Sequence, residues 1–196
     1  KFNITLSGCP DDCVHAETQD LALVPAVLEK NGDSVYGFNI LVGGKLGSGG
    51  YRMASPLDVF LCPEEVVEVC LALILLYRDH GSRDVRSKNR LAFLIEDWGE
   101  EKFRLALEER LGKSLTRAGI DLRGNEKSEH IGAYRQKQTS MNYVGLKIPV
   151  GRIQAAKLKE LARLAEKFGN EEIRFSHSNS LVIPNISDQK LGDMLE

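Results

Sequence analysis

The 196-residue sequence is short of several things, and each shortage removes a class of explanation. Its longest apolar run, Val66 to Leu76, is broken by Glu68 and falls far below the roughly 18 residues that a membrane helix requires. Net charge is nearly absent: 26 Lys and Arg against 28 Asp and Glu leave −2, which offers no bulk attraction to nucleic acid or to an anionic membrane. Four cysteines are too few for a disulfide scaffold and suit a reducing compartment, so the cytoplasm is the expected location. No initiator Met, charged leader or small-residue cleavage pattern precedes Phe2-Asn3-Ile4-Thr5-Leu6, and the chain reads as excised from a longer one.

What is present is patterned. At about 100 to 200 residues per domain, the length permits one large or two small domains. Phe2 to Leu6 and Val35 to Val42 are rich in β-branched and aromatic residues, with Asn31-Gly32-Asp33 as turn chemistry between them, and they read as strands of one sheet. Pro63-Glu64-Glu65 opens a helix, its proline and acids matching the positive dipole end, and Val66, Val67, Val69, Cys70, Leu73, Ile74 and Tyr77 cover most of its girth up to a stop at Gly81. Such a helix is expected to be buried all round. Amphipathic helices are expected from about Arg83 to Glu96 and from Glu100 to Leu111. Residues 119–135 hold few large apolar side chains and read as a linker. The remainder, 136–196, spells strand, helix, strand, strand, helix, with Leu158, Leu161, Leu164 and Phe168 on one helical face. The class is α+β.

Four ordered stretches carry a resemblance: Lys1-Phe2-Asn3; Gly37-Phe38-Asn39-Ile40-Leu41-Val42-Gly43-Gly44; Tyr77-Arg78-Asp79-His80-Gly81-Ser82-Arg83; and Tyr143-Val144-Gly145-Leu146-Lys147-Ile148-Pro149-Val150-Gly151-Arg152. Together they resemble the siroheme-containing nitrite and sulfite reductases, most closely the ferredoxin-dependent nitrite reductases. The resemblance implies that residues 1–118 are part of the siroheme-binding α/β module of a first pseudo-symmetric half. It likewise makes 136–196 the ferredoxin-like βαββα module of the second. The implied activity is reduction of nitrite to ammonium with siroheme, a 4Fe-4S cluster and electrons from ferredoxin. The cluster's cysteine ligands are expected outside this chain, which alone should not be a complete enzyme.

The same resemblance implies roles for individual residues. Lys1 and Asn3, two apart on a strand and so on one face, would meet the anion above the siroheme iron. Sulfite-reducing relatives have Lys at both places, and one neutral donor suits the smaller charge of nitrite. Gly43, Gly44 and Gly47 follow a strand and would let backbone approach the flat macrocycle. The stretch is no P-loop, because Lys45 is not followed by Ser or Thr, and Ser48 to Gly50 reads as a mobile surface loop. Arg90, with Arg83 and Arg86, would face siroheme carboxylates.

Other residues are weaker candidates. Ser7-Gly8-Cys9-Pro10-Asp11-Asp12-Cys13 resembles the family's cluster-binding motif but stands in the wrong half, and Cys62 and Cys70 lie on an apolar segment. No metal site is expected here. His15 and Glu17 are candidate proton donors, and Asn179-Ser180 departs from the Gln-Asn that nitrite reductases commonly show. Sulfite reduction is the alternative activity. A further alternative is a non-catalytic α+β module with a redox or metal-binding Cys9/Cys13 pair.

Overall fold

A computed structural model describes residues 2–30, 32–47, 50–125 and 127–196, and the chain divides into two units, residues 1–127 and 128–196. The first unit is built on a five-stranded sheet. Its strands are β1 (Ile4–Leu6), β2 (Leu21–Lys30), β3 (Asp33–Val42), β4 (Ser55–Leu61) and β5 (Ile120–Asp121). β2 pairs with β3 along its whole length, β4 continues on the far side of β3, and the other edge of β2 is shared by β1, parallel, and β5, antiparallel.

β2 went unread in the sequence because Leu21, Ala22, Leu23 and Val24 are all buried, so no apolar–polar alternation survives. Pro25 lies inside it. The Pro25 carbonyl accepts the Leu122 N–H, so the edge where proline lacks a donor is the β5 edge and the β2–β3 ladder stays whole. Alternate residues then face two cores. Leu21 and Leu23 join Ile40, Val42, Leu57 and Val59 beneath the helices, whereas Ala22 and Val24 meet Ala16 and Leu41 on the opposite face.

Two helices cover the larger core: α1 (Val66–His80), preceded by a short helical turn at Pro63–Glu65, and α2 (Leu91–Leu111). α1 is not buried all round. Val69, Ala72, Leu73, Leu76 and Tyr77 face the sheet, but Val67 and Leu71 stand in solvent, since a single layer can be covered along only one stripe of a helix. The helix expected from Arg83 does not form. Residues 82–88 are exposed, and without an apolar stripe to dock they make a loop with one helical turn at Arg86–Lys88. α2 starts only at Leu91, and Gly99, at φ 75°, bends it between the two amphipathic segments that were expected as separate helices.

The segment read as a linker is partly ordered into sheets: Ile120–Asp121 forms β5, and Gly132–Arg135 forms β6 at the edge of the second unit. That unit orders β6, β7 (Met141–Lys147), β9 (Ser180–Ser187) and β8 (Arg174–Phe175) in one antiparallel sheet, with α3 (Ala155–Phe168) and α4 (Asp188–Leu195) packed on it. It is therefore ββαββα. The extra strand is held by Tyr134 stacked on Tyr143, ring centroids 5.3 Å apart. The core is small: Val144, Ala165, Ile183 and Ile186, with Leu146, Leu164, Ile173, Leu191 and Met194 partly buried around it.

Candidate anion and cofactor site

The chain places Asn3, Gly43 and Arg90 around one residue that the sequence did not single out. Asp20 is fully buried, immediately before β2, and its carboxylate receives Arg90 Nε at 2.9 Å and Nη2 at 2.8 Å. The Asn3 N–H donates to the same carboxylate at 2.9 Å, and the Gly43 N–H donates to the Asp20 backbone carbonyl at 2.8 Å. Arg90 thus spends one edge of its guanidinium, Nε and Nη2, inside the protein. A buried carboxylate is tolerable only with such paired, hydrogen-bonded compensation.

Beside this junction Phe2 packs on Tyr77, ring centroids 5.4 Å apart, and the Tyr77 hydroxyl and Arg83 Nη1 both donate to Asn89 Oδ1 at 2.9 Å. Arg83 also lies over the Tyr77 ring. Asn3 and Arg83 are nonetheless exposed, and so is Arg86, in the helical turn at Arg86–Lys88. Lys1 lies outside the described residues.

The three glycines divide. A Cβ on Gly44 would stand 2.6 to 2.7 Å from the backbone of Gln19 and Glu17, and one on Gly43, whose φ is +78°, would strike Arg52 Nη1 at 2.7 Å. Packing within the protein therefore accounts for both. Gly47 is exposed at φ +102°, and among the described residues no atom lies within 4 Å of where a Cβ would stand. Ser48 and Gly49 of the adjoining loop are outside the described residues.

The Cys9–Cys13 loop is tied by charge. Asp12 is buried, accepts the Ala16 N–H at 3.2 Å, and stands 3.6 Å from Arg123 and 3.4 Å from Lys127. Lys127 also bonds Glu17. Burial pulls the Glu17 carboxyl upward, but the Lys127 hydrogen bond and charge outweigh it and leave it below its ordinary value, which suits a fixed anion better than a proton donor. His15 is exposed at φ 51°.

All four cysteines are free and half-buried. Burial pushes the Cys13 thiol up, and Cys9 beside it adds to the effect, so Cys13 favours thiol over the thiolate that a metal requires. Burial raises Cys70 as well. Among the described residues no three metal-ligating side chains converge, and a cubane held by four thiolates does not fit the donor set of this chain. A group with several carboxylates suits the chain's chemistry better, since the guanidiniums of Arg83 and Arg86 are exposed.

In the second unit, Ser176, Ser178 and Ser180 form a hydroxyl chain at the β8–β9 turn, with spacings of 2.9 and 3.4 Å. Asn179 there is exposed at φ 58°, and Ser180 is buried. Ser180 thus serves the turn.

The chain belongs to the nitrite and sulphite reductases. Residues 1–115 match the nitrite and sulphite reductase 4Fe-4S domain, and residues 134–196 match the nitrite/sulfite reductase ferredoxin-like half domain. Among its relatives, the chloroplastic ferredoxin–nitrite reductase of Zea mays is 41% identical over 100% of this chain. The assimilatory ferredoxin-dependent nitrite reductase of Haloferax mediterranei is 40% identical, also over 100% of it. The solved Mycobacterium tuberculosis NirA protein superposes with a TM-score of 0.86 at 33% identity, covering 96% of this chain and 34% of that one. The chain spans about a third of the length of these relatives, 34% of the maize protein and 35% of the Haloferax protein.

Proposed function

We propose that the chain supplies the anion-binding face of an enzyme that reduces nitrite to ammonium with electrons from ferredoxin. The observation that carries this reading is the convergence of Asn3, Gly43 and Arg90 on Asp20, which fixes the start of the first strand and leaves the Asn3 side chain exposed. Bound siroheme, coupled to a 4Fe-4S cluster held by cysteines beyond this chain, would carry the electrons to the substrate. The protein's part is to hold, orient and protonate. Asn3 donates from its side-chain amide to a substrate oxygen, and Lys1 adds the positive charge that balances the anion. Arg83 and Arg86 hold cofactor carboxylates, Arg90 faces them with what its pairing to Asp20 leaves, and Gly47 lets the ring approach. Nitrite is favoured over sulfite because position 3 is a neutral amide.

No helix of the described residues is long and apolar enough to cross a membrane. We place the protein in the cytoplasm, a reading that the four free cysteines support. The non-catalytic alternative, a metal-binding Cys9/Cys13 pair, has no third ligand in its favour among the described residues.

Kinetics of Lys1→Ala in a reductase of full family length containing this segment, normalised to siroheme absorbance, test the reading. Nitrite turnover should fall by about 100-fold at unchanged siroheme content, the scale of losing one oriented charge-stabilising donor. Undiminished turnover would sink the assignment.

A further inference from the structure

We propose that Asp20 is the positioning residue of the anion-binding face: it holds Asn3 in place through the backbone while touching no substrate itself. The proposal rests on the reading of Asn3 just given. Its geometry is independent of that reading.

Asn3 precedes the regular part of β1, which begins at Ile4, so the strand ladder alone does not fix it. A side-chain bond is added to the first rung of the ladder. The Asn3 N–H reaches the Asp20 carboxylate, and the Asn3 carbonyl accepts the Leu21 N–H at 3.1 Å. With both backbone groups committed to residues 20 and 21, and Phe2 packed on Tyr77, the exposed Asn3 side chain extends from an immobilised stem. A donor that is already oriented costs nothing to reorganise when the anion arrives.

Arg90 makes the carboxylate itself immobile. A monodentate lysine would let the carboxylate swivel, whereas the guanidinium fork, bonding through Nε and Nη2, sets both its position and its plane. Oδ2, the oxygen that takes Nη2, is thereby aimed at the Asn3 N–H, from which it also accepts. The Asp20 backbone carbonyl meanwhile takes the Gly43 N–H, so the turn after β3 is registered to the same point. A buried pair that served stability alone would need none of these links to Asn3 and Gly43, and an apolar pair of similar volume would serve as well.

The experiment uses the full-length, siroheme-loaded reductase with Asp20→Asn, Arg90→Lys and Asn3→Ala. Nitrite affinity is read from the visible spectrum, and backbone protection from hydrogen exchange in the peptide spanning residues 2–6. Asp20→Asn should raise the nitrite Kd about tenfold, the scale of one misdirected hydrogen bond, and speed exchange in that peptide at unchanged siroheme content. Asn3→Ala should raise the Kd by a similar factor with exchange unaltered, and Arg90→Lys should fall between wild type and Asp20→Asn on both measures. If Asn3→Ala weakens nitrite binding but Asp20→Asn does not, Asp20 is only structural and the proposal fails while the functional reading stands. If Asn3→Ala leaves affinity unchanged, the functional reading fails and takes the proposal with it. Should Asp20→Asn not fold, Arg90→Lys decides: wild-type affinity and wild-type exchange in that variant overturn the proposal.

Discussion

The two units bury different chemistry. Within residues 1–127 the interior holds Asp12, Asp20, Lys45 and Arg104, each a charged group, whereas the buried polar residues of 128–196 are the neutral Asn142 and Ser180. A buried charge demands one particular partner in one geometry, and an apolar contact accepts many. The first unit is therefore specified point by point, as a frame for a site must be. The second is a sheet with two helices laid on it, its ion pairs, such as Arg135 with Asp188 and Arg174 with Glu172, at the surface.

The sharpest way to break this contrast is to strip one partner from a buried polar pair in each unit. Arg90→Leu leaves the Asp20 charge uncompensated and should cost about 3–5 kcal/mol. Asn142→Leu, which loses amide bonds to Asp188 and the Ile186 carbonyl, should cost about 1–3 kcal/mol. Urea denaturation of this chain measures both, and equal losses would erase the distinction.

Ile183→Ala probes the other side of the comparison. Truncation in so small a core should cost about 2–5 kcal/mol and unfold the second unit first. The only tryptophan, Trp98, reports on the first unit, so its fluorescence should not change in that early transition. A single transition seen by all probes would show that the two units unfold as one. Gly44→Ala should destabilise the first unit by about 1–3 kcal/mol through backbone collisions, and Gly47→Ala by only about 1 kcal/mol, from its positive φ alone. Reversal of that order in thermal melts would contradict the placement of the two glycines.

The smallest expected effect is one of pH. Asp79 is held at about 2, below its ordinary 3.8, by the hydrogen bond from Arg78 and by Arg110. A folded-state value below the unfolded one means that the pairing stabilises above pH 4 and that the contribution disappears as pH falls from about 4 to about 2. Asp79→Asn should flatten the acid limb of the stability curve in that window. Because the pair is exposed, the change should be slight, and an unaltered acid limb would show that the pairing contributes nothing to folding.

Much of this architecture was legible in periodicity. α3 follows the expected helix closely because it shows one apolar face, and β3 and β9 lie where β-branched and apolar runs were read as strands. β2 was hidden by being buried on both faces, and β4 by Pro56 together with the positive φ of Asp58. The charges of residues 83–90 resembled a helix's solvated face but had no apolar stripe opposite them. Of the site, Asn3, Gly43 and Arg90 were named individually through resemblance, yet their meeting point was not. Asp20 stands alone between Gln19 and an apolar run, and a single acid carries no pattern. Its one local sign is that it precedes a run buried on both faces, a place where an unpaired carboxylate would be costly.

The order of assembly follows from how far apart the bonded residues lie in the chain. Asn3 is 17 positions from Asp20, and Arg90 is 70. The β2–β3 hairpin closes over a few residues and can form from local chain, but the guanidinium arrives only when α2 docks, after a much longer loop has been closed. Until then Asp20 remains hydrated, and the entry to β1 lacks its full anchor. The junction at Asp20 is thus among the last parts of the molecule to form, and a partly folded chain has a sheet before the proposed anion-binding face has its anchor.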